Sequence, residues 1–248
     1  MGKEETVKIQ MRTLESLGYS VPVGARILDF GCGAGGLVKA YRDQGMDAYG
    51  CDLSFKKGPH AESLHKEGIL RVIDSETRRL PFEDNFFDYI LSEQVFEHVD
   101  DYPAALAEIC RILKPTGLSM HVFPSRYRPI EAHIKVPFAS IIQKEGWIRF
   151  WGKRGYRPSG SEEIPLDKFA RDSTEYLNTR TNYLKKSQIK KIARQFFENV
   201  DFCEAAYMCH TPRGGLLRKA NRIAPFLPYF YSTFRTRVLL LAGATSLK

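Results

Sequence analysis

The chain predicts an α/β fold: a doubly wound, mainly parallel sheet with an antiparallel last strand and an inserted segment covering one edge. Two observations carry this. From Arg26 onward short apolar runs alternate with helical patterns, and strands separated by helices call for right-handed crossovers, parallel neighbours and helices on both faces. The alternation breaks at Pro124 and resumes at Lys186, as an insertion within a single domain would make it do.

Taken in order, Val7, Met11, Leu14 and Leu17 share a helical stripe that Gly18 is placed to end. Residues 4–17 are therefore expected to be an amphipathic helix in a leading segment, 1–23, lying against a cleft or sheet edge. The core, 24–124, opens with a buried strand, Arg26–Phe30, followed by a glycine loop and a helix through about Asp43. Strands are expected at 47–52, 69–74 and 86–92, a helix at 103–113 and a strand at 117–123. Residues 125–183 show no clean period after the apolar stretch Val136–Ile142 and read as a cover over the sheet's functional edge. Residues 184–248 return to the sheet with a helix at Lys186–Asn199, a strand at Val200–Tyr207 and its antiparallel partner at Thr236–Ala242. Pro225–Tyr231, aromatic and followed by Arg235 and Arg237, also reads as a membrane-surface element, but its two prolines interrupt any long amphipathic helix.

With 248 residues, 43% of them hydrophobic and 27% charged, the composition excludes a disordered, collagen-like or disulfide-stapled chain. The five cysteines are odd in number and lack C-x-x-C spacing. Neither a disulfide framework nor a metal site is expected from them, and the setting predicted is reducing and cytoplasmic. The N-terminus has no apolar signal-peptide core, and no apolar run is long enough to span a bilayer. The net charge of +8 favours anionic partners, but the basic residues are spread along the chain rather than gathered into the stripe a nucleic-acid-binding protein would present.

Asp29-Phe30-Gly31-Cys32-Gly33-Ala34-Gly35-Gly36 stands where a strand gives way to a helix, and glycines there let the backbone approach a ligand that the helix N–H groups face. Gly31, Gly33 and Gly36 satisfy the dinucleotide pattern G-x-G-x-x-G; Gly31, Gly33 and Gly35 satisfy the G-x-G-x-G loop of S-adenosylmethionine (SAM) enzymes. Asp29 suits a cationic amino group better than a pyrophosphate. Asp52 closes the second strand, where an acid can accept hydrogen bonds from both ribose hydroxyls.

These residues, with Leu80–Asp88, Phe96-Glu97-His98-Val99 and Glu108–Gly117, resemble the class I SAM-dependent methyltransferases, in particular the broad group similar to ubiquinone and menaquinone biosynthesis methyltransferases. The likeness covers residues 24–124, about two-fifths of the chain. Thr116 departs from the usual first glycine of the turn before the fifth strand, and an extra residue after Asp74-Ser75-Glu76 leaves the adenine contacts open by one position. The resemblance implies a Rossmann-like fold and SAM as cofactor. Asp29, Gly31 and Gly33 in the Gly31-x-Gly33-x-Gly35 loop would hold its methionine part, Asp52 the ribose, Asp74 and Ser75 the adenine, and Glu93 and Gln94 would lie beside the sulfonium.

Methyl transfer from a sulfonium needs alignment and exclusion of water, not a metal or a covalent intermediate. His98 and His133 are the candidate bases for an acceptor that must shed a proton. His121, inside a strand, is expected to pack. Arg126, Arg128, Arg154 and Arg157 are candidates to bind an anionic acceptor, walled by Trp147, Trp151 and Tyr156. The activity expected is methyl transfer to oxygen or carbon of a small or lipid-linked metabolite. The alternatives are a nucleic-acid-modifying methyltransferase, an NAD-dependent oxidoreductase on the same glycine loop, and a non-catalytic scaffold.

Overall fold

The computed structural model describes residues 2–212, 214–215, 226, 230 and 233–245. Seven strands form one sheet in the order β3-β2-β1-β4-β5-β7-β6. β1 (Arg26–Phe30), β2 (Asp47–Asp52), β3 (Leu70–Val72), β4 (Phe87–Glu93) and β5 (Leu113–Pro124) run parallel, while β7 (Thr236–Ala244) runs antiparallel to both β5 and β6 (Phe197–Phe202).

Side chains alternate across the sheet with the two-residue period of a strand, which explains why both faces are covered. Leu28, Phe30, Ile90, Leu239 and Leu241 point into a core closed by α4 (Tyr102–Ile112) and α7 (Lys186–Ala193). Ile27, Leu91, Met120, Val238 and Leu240 point the other way, against α1 (Lys3–Ser16), α2 (Gly36–Arg42) and α8 (Glu204–His210). α4 starts at Asp101, whose carboxylate accepts the Ala104 N–H, with Pro103 in the first turn, where its missing donor costs nothing.

Several boundaries differ from expectation. α3 (Ala61–Lys66) was not expected. Only its Ala61 and Leu64 are buried, too few for a stripe. The helix from Lys186 ends at Ala193, not Asn199, and β6 begins at Phe197 rather than Val200, because the buried ring of Phe197 belongs to the strand. The expected strand tail through Tyr207 is instead α8. Thr236 does pair antiparallel within the sheet, as expected, through β5 and β6.

The segment 125–183 is not irregular. It contains α5 (Glu145–Gly152) and α6 (Leu166–Arg180), which close their own apolar core of Ile134, Val136, Ala139, Ile148, Phe169, Ala170 and Leu177. Phe169, Ala170, Ser173 and Leu177 are the buried stripe of α6, at helical spacing. Most of the membrane-surface candidate Pro225–Tyr231 lies outside the described residues; its Phe226 and Phe230 are exposed.

Candidate functional site

The loop after β1 reverses the chain within a few residues, and backbone geometry explains its glycines. Gly31 has φ +79°, and a Cβ there would stand 2.3 Å from Val95 Cγ2. Gly35, at φ +75°, is the residue from which α2 starts, and a Cβ on it would meet Leu70 at 2.9 Å. Both positions exclude a side chain on conformational and steric grounds. The loop is tied to β2 three times: the Gly31 and Cys32 N–H groups donate to Cys51 O at 2.8 and 3.0 Å, and the Gly33 N–H donates to Asp52 Oδ2 at 2.8 Å.

A cavity of about 250 Å³ opens beside this loop, and Gly31, Asp52, Gln94 and His98 share its wall with Leu53 and Val95. Asp29 sits behind the loop, 2% exposed, where burial pushes its carboxyl up to about 7; Lys3 opposes that shift and Asp52 adds to it. Asp74 lies elsewhere, in a surface depression with Arg71, Thr77 and Pro81. It accepts the N–H groups of Glu76 and Thr77 at 2.8 and 3.0 Å, and these bonds hold it below the usual carboxylate range. Ser75 is exposed in that turn; Ile73 reaches the cavity in its place.

Glu93 ends β4 and Gln94 follows it, at the carboxyl edge of the sheet. Burial pushes Glu93 up to about 8, against hydrogen bonds donated to its Oε1 by Tyr207 at 3.0 Å and Gln10 at 3.2 Å. Tyr41 in turn donates to Gln10 Oε1. Gln10, Tyr41 and Tyr207 were missed by sequence reasoning. The signal for Gln10 was present, a polar residue one helical turn from Val7 and Leu14 on an otherwise apolar face. Gln94 adopts φ +58°, an uncommon conformation for a side-chain-bearing residue, pinned by its N–H bond to Val122 O at 2.8 Å. It lines both the first cavity and a second one, of about 450 Å³, whose wall includes Glu93, Arg128, Tyr207 and Arg235.

The two candidate bases are brought together from distant parts of the chain. The rings of His98 and His133 stand 4.9 Å apart. Burial holds His98 below the usual imidazole range, partly offset by its 2.6 Å bond to Arg180 O. Nδ1 of His133 lies 2.9 Å from Glu131 Oε1. Burial opposes ionisation of Glu131, but hydrogen bonds from His133, Tyr183 and the Ile134 N–H outweigh it and hold the carboxyl down at about 2. His121 is fully buried between Ser92 and Ser119 and stays neutral, its pKa pushed to about 3 by burial.

Of the four arginines expected to meet an anion, only Arg128 lines a cavity beside Gln94. Arg126 donates to Tyr183 O, Arg154 to Phe150 O, and Arg157 to Gly152 O and Ile164 O, so these three bond main-chain carbonyls of the insertion and its exit. Trp147, Trp151 and Tyr156 pack with one another and with Phe150 on α5.

Residues 28–120 match a methyltransferase domain family. Phosphoethanolamine N-methyltransferase 2 of Caenorhabditis elegans is 37% identical over 120 residues, 47% of this chain and 26% of that protein. The ubiquinone biosynthesis O-methyltransferase of Rhodopseudomonas palustris is 34% identical over 99 residues, 39% of each. The chain spans roughly a quarter to a half of the length of the curated relatives it matches. Among solved structures, the phosphoethanolamine N-methyltransferase 2 of Haemonchus contortus, in complex with phosphomonomethylethanolamine and S-adenosylhomocysteine, superposes with a TM-score of 0.54 at 16% identity, over 97% of this chain and 53% of that one. The geranyl diphosphate C-methyltransferase of Streptomyces coelicolor gives 0.51 at 14% identity, over 97% and 81%. At such identities the likeness is one of fold.

Proposed function

Because residues 28–120 are a class I SAM-dependent methyltransferase domain, we propose that this chain transfers a methyl group from SAM to an oxygen or carbon of a small or lipid-linked metabolite. The observation that carries the proposal is the Gly33 N–H to Asp52 bond, which sets the glycine loop beside the cavity shared by Gly31, Asp52 and Gln94. In this reading Asp52 accepts the ribose hydroxyls, the loop backbone and Asp29 hold the amino-acid part, and Glu93 and Gln94 face the sulfonium. Asp74 and Ser75 remain the proposed adenine neighbours by sequence position, and Ile73 and Leu53 supply the apolar contact from the cavity wall.

The acceptor enters through the larger cavity on the far side of Gln94. Its nucleophilic atom attacks the methyl carbon, the carbon–sulfur bond breaks, and S-adenosylhomocysteine leaves as a neutral thioether. A hydroxyl acceptor reaching the first cavity past Gln94 would shed its proton to His98 on that wall, with the His133 ring 4.9 Å from it. Arg128 on the wall of the larger cavity suits an anionic acceptor. The cysteines, odd in number and without C-x-x-C spacing, support a cytoplasmic setting. No helix among the described residues is long and apolar enough to cross a membrane, and peripheral contact through the aromatic segment near Phe226 and Phe230 is retained as part of the proposal.

Release of S-adenosylhomocysteine from SAM, measured against hydroxylated quinones, phosphorylated amines and prenyl diphosphates, tests the reading. The relatives named above methylate nitrogen as well as oxygen and carbon, which is why amines belong in the set. Tight NAD binding with no SAM binding would overturn it.

A further inference from the structure

Among the described residues, Glu97 is a buried carboxylate near the site that no hydrogen-bond donor meets. Its side chain has no exposed surface, and neither Oε1 nor Oε2 has a hydrogen-bond partner among the described residues. Leaving a carboxylate so placed is costly unless something positive or donating meets it. Three ligand atoms, one each from Glu97, His98 and His133, lie within 4.8 Å of one another.

The two imidazoles are prepared for a ligand in the same way. Nδ1 of His98 faces Arg180 O at 2.6 Å, and Nδ1 of His133 faces Glu131 Oε1 at 2.9 Å. Both partners are acceptors, so each ring carries its proton on Nδ1 and keeps the Nε2 lone pair free. Nε2 of His98 is 3.9 Å from Glu97 Oε1. A histidine whose far nitrogen donates to a carboxylate or carbonyl is the arrangement that orients metal ligands and raises their basicity. Tyr183 and the Ile134 N–H fix Glu131 in turn.

We propose that Glu97, His98 and His133 form a binding site for a divalent first-row transition-metal ion of the zinc class, with Glu131 and the Arg180 carbonyl as the groups that orient the two histidines. Two imidazole nitrogens and one carboxylate oxygen suit such an ion and not magnesium or calcium, which take oxygen ligands. Donor–metal distances of about 2.1 Å require the widest pair to close by about 1–1.5 Å. Three protein donors leave a coordination position for an oxygen ligand, and His98 also lines the cavity beside Gly31, so that position is reachable from the proposed site of methyl transfer. With an ion bound, both imidazoles would serve as its ligands, and the ion would supply Lewis acidity to an oxygen ligand in the open position. Sequence reasoning looked for metals in the cysteines and expected none; the cluster escapes it because His133 lies far along the chain from Glu97 and His98.

The test needs neither SAM nor acceptor, so it stands apart from the methyl-transfer reading. The full chain, stripped with chelator, is titrated with zinc and, for spectra, cobalt. One equivalent should bind, with nitrogen and oxygen but no thiolate character in the cobalt spectrum, and millimolar magnesium should not displace it. Glu97→Gln, which keeps the shape, should abolish stoichiometric binding, and Glu131→Gln should weaken it about 10–100-fold. Histidine ring nitrogen resonances of the unaltered protein provide a check that needs no variant: zinc should shift Nε2 of His98 and His133. Zinc binding that survives in Glu97→Gln, thiolate-to-cobalt bands, or unshifted His98 and His133 resonances under saturating zinc would each overturn the proposal.

Discussion

Gly31 and Val95 approach so closely that a single added methyl group would stand 2.3 Å from Val95 Cγ2. Gly31→Ala also forces an L-residue to φ +79°, and the two strains cost about 1–3 kcal/mol each. The substitution should lower the urea midpoint and abolish binding of S-adenosylhomocysteine. Adding Val95→Ala should recover the steric part of the stability only. Equal midpoints for Gly31→Ala and the parent chain would refute the packing argument.

Cofactor affinity should rise with pH through the range in which Asp29 ionises. Burial pushes that carboxyl up to about 7 in the free protein, so below pH 7 it is mostly protonated and must release its proton when a cationic amino group binds beside it. Affinity should climb by at most about tenfold per pH unit and level off above 7. Asp29→Asn should bind about 1.5–3 kcal/mol more weakly and show no such slope. Calorimetry in buffers of different ionisation enthalpy counts the proton directly.

Asp52→Ala removes the acceptor of the Gly33 N–H as well as the proposed ribose contact. A loss of about 1.5–3 kcal/mol in SAM binding is expected, with a smaller loss for Asp52→Asn, whose amide oxygen can still accept. Dialysis with labelled SAM measures both, and excess NAD should compete with neither.

Glu93 makes the native state lose stability as the pH rises from about 4.5 to about 8. Its pKa is raised by burial from 4.5 to about 8, so below about pH 4.5 the carboxyl is protonated in folded and unfolded chains alike. As pH rises the unfolded chain gives up its proton first. The native state therefore loses up to a few kcal/mol, and the loss is complete above pH 8. Glu93→Gln should be more stable than the parent at pH 9, with the advantage gone near pH 4.5. Denaturant melts at the two pH values decide it.

Truncation after Phe234 removes β7, which sits between β5 and β6 with hydrogen bonds to both. The melting temperature of the whole domain should fall, or the protein should fail to fold. A truncated chain that melts like the parent but no longer binds vesicles would show that the segment serves a membrane instead.

Elements with a complete local signal were legible. β1 and β2 span the residues expected, 26–30 and 47–52, and the helix expected at 103–113 is α4 with its Asp101 cap. The break between α7 and β6 was not, because Ile192, Ala193, Phe196 and Phe197 continue a helical period straight across it. α6 carried a readable stripe that the charged residues between its apolar positions obscured. In the site, the glycine loop and Asp52 are neighbours in a local unit, and sequence order alone exposes them. The Gln10, Tyr41, Glu93 and Tyr207 network draws one residue from each of four separate elements, and no spacing rule links them. Asp74, singled out by its motif position, accepts the N–H groups of its own turn, a contact that no spacing rule announced.

The strand order also dictates when the molecule can be finished. β6 precedes β7 in the chain, yet among the described residues every sheet bond it makes is with β7, so during synthesis β6 emerges with no template to add to. The five parallel strands can assemble as they are made, but the far edge must wait for a late, long-range closure, the kind of step that slows folding. Until then β5 and β6 present unpaired edges, and these are the surfaces on which a nascent chain of this topology is open to chaperones and to aggregation.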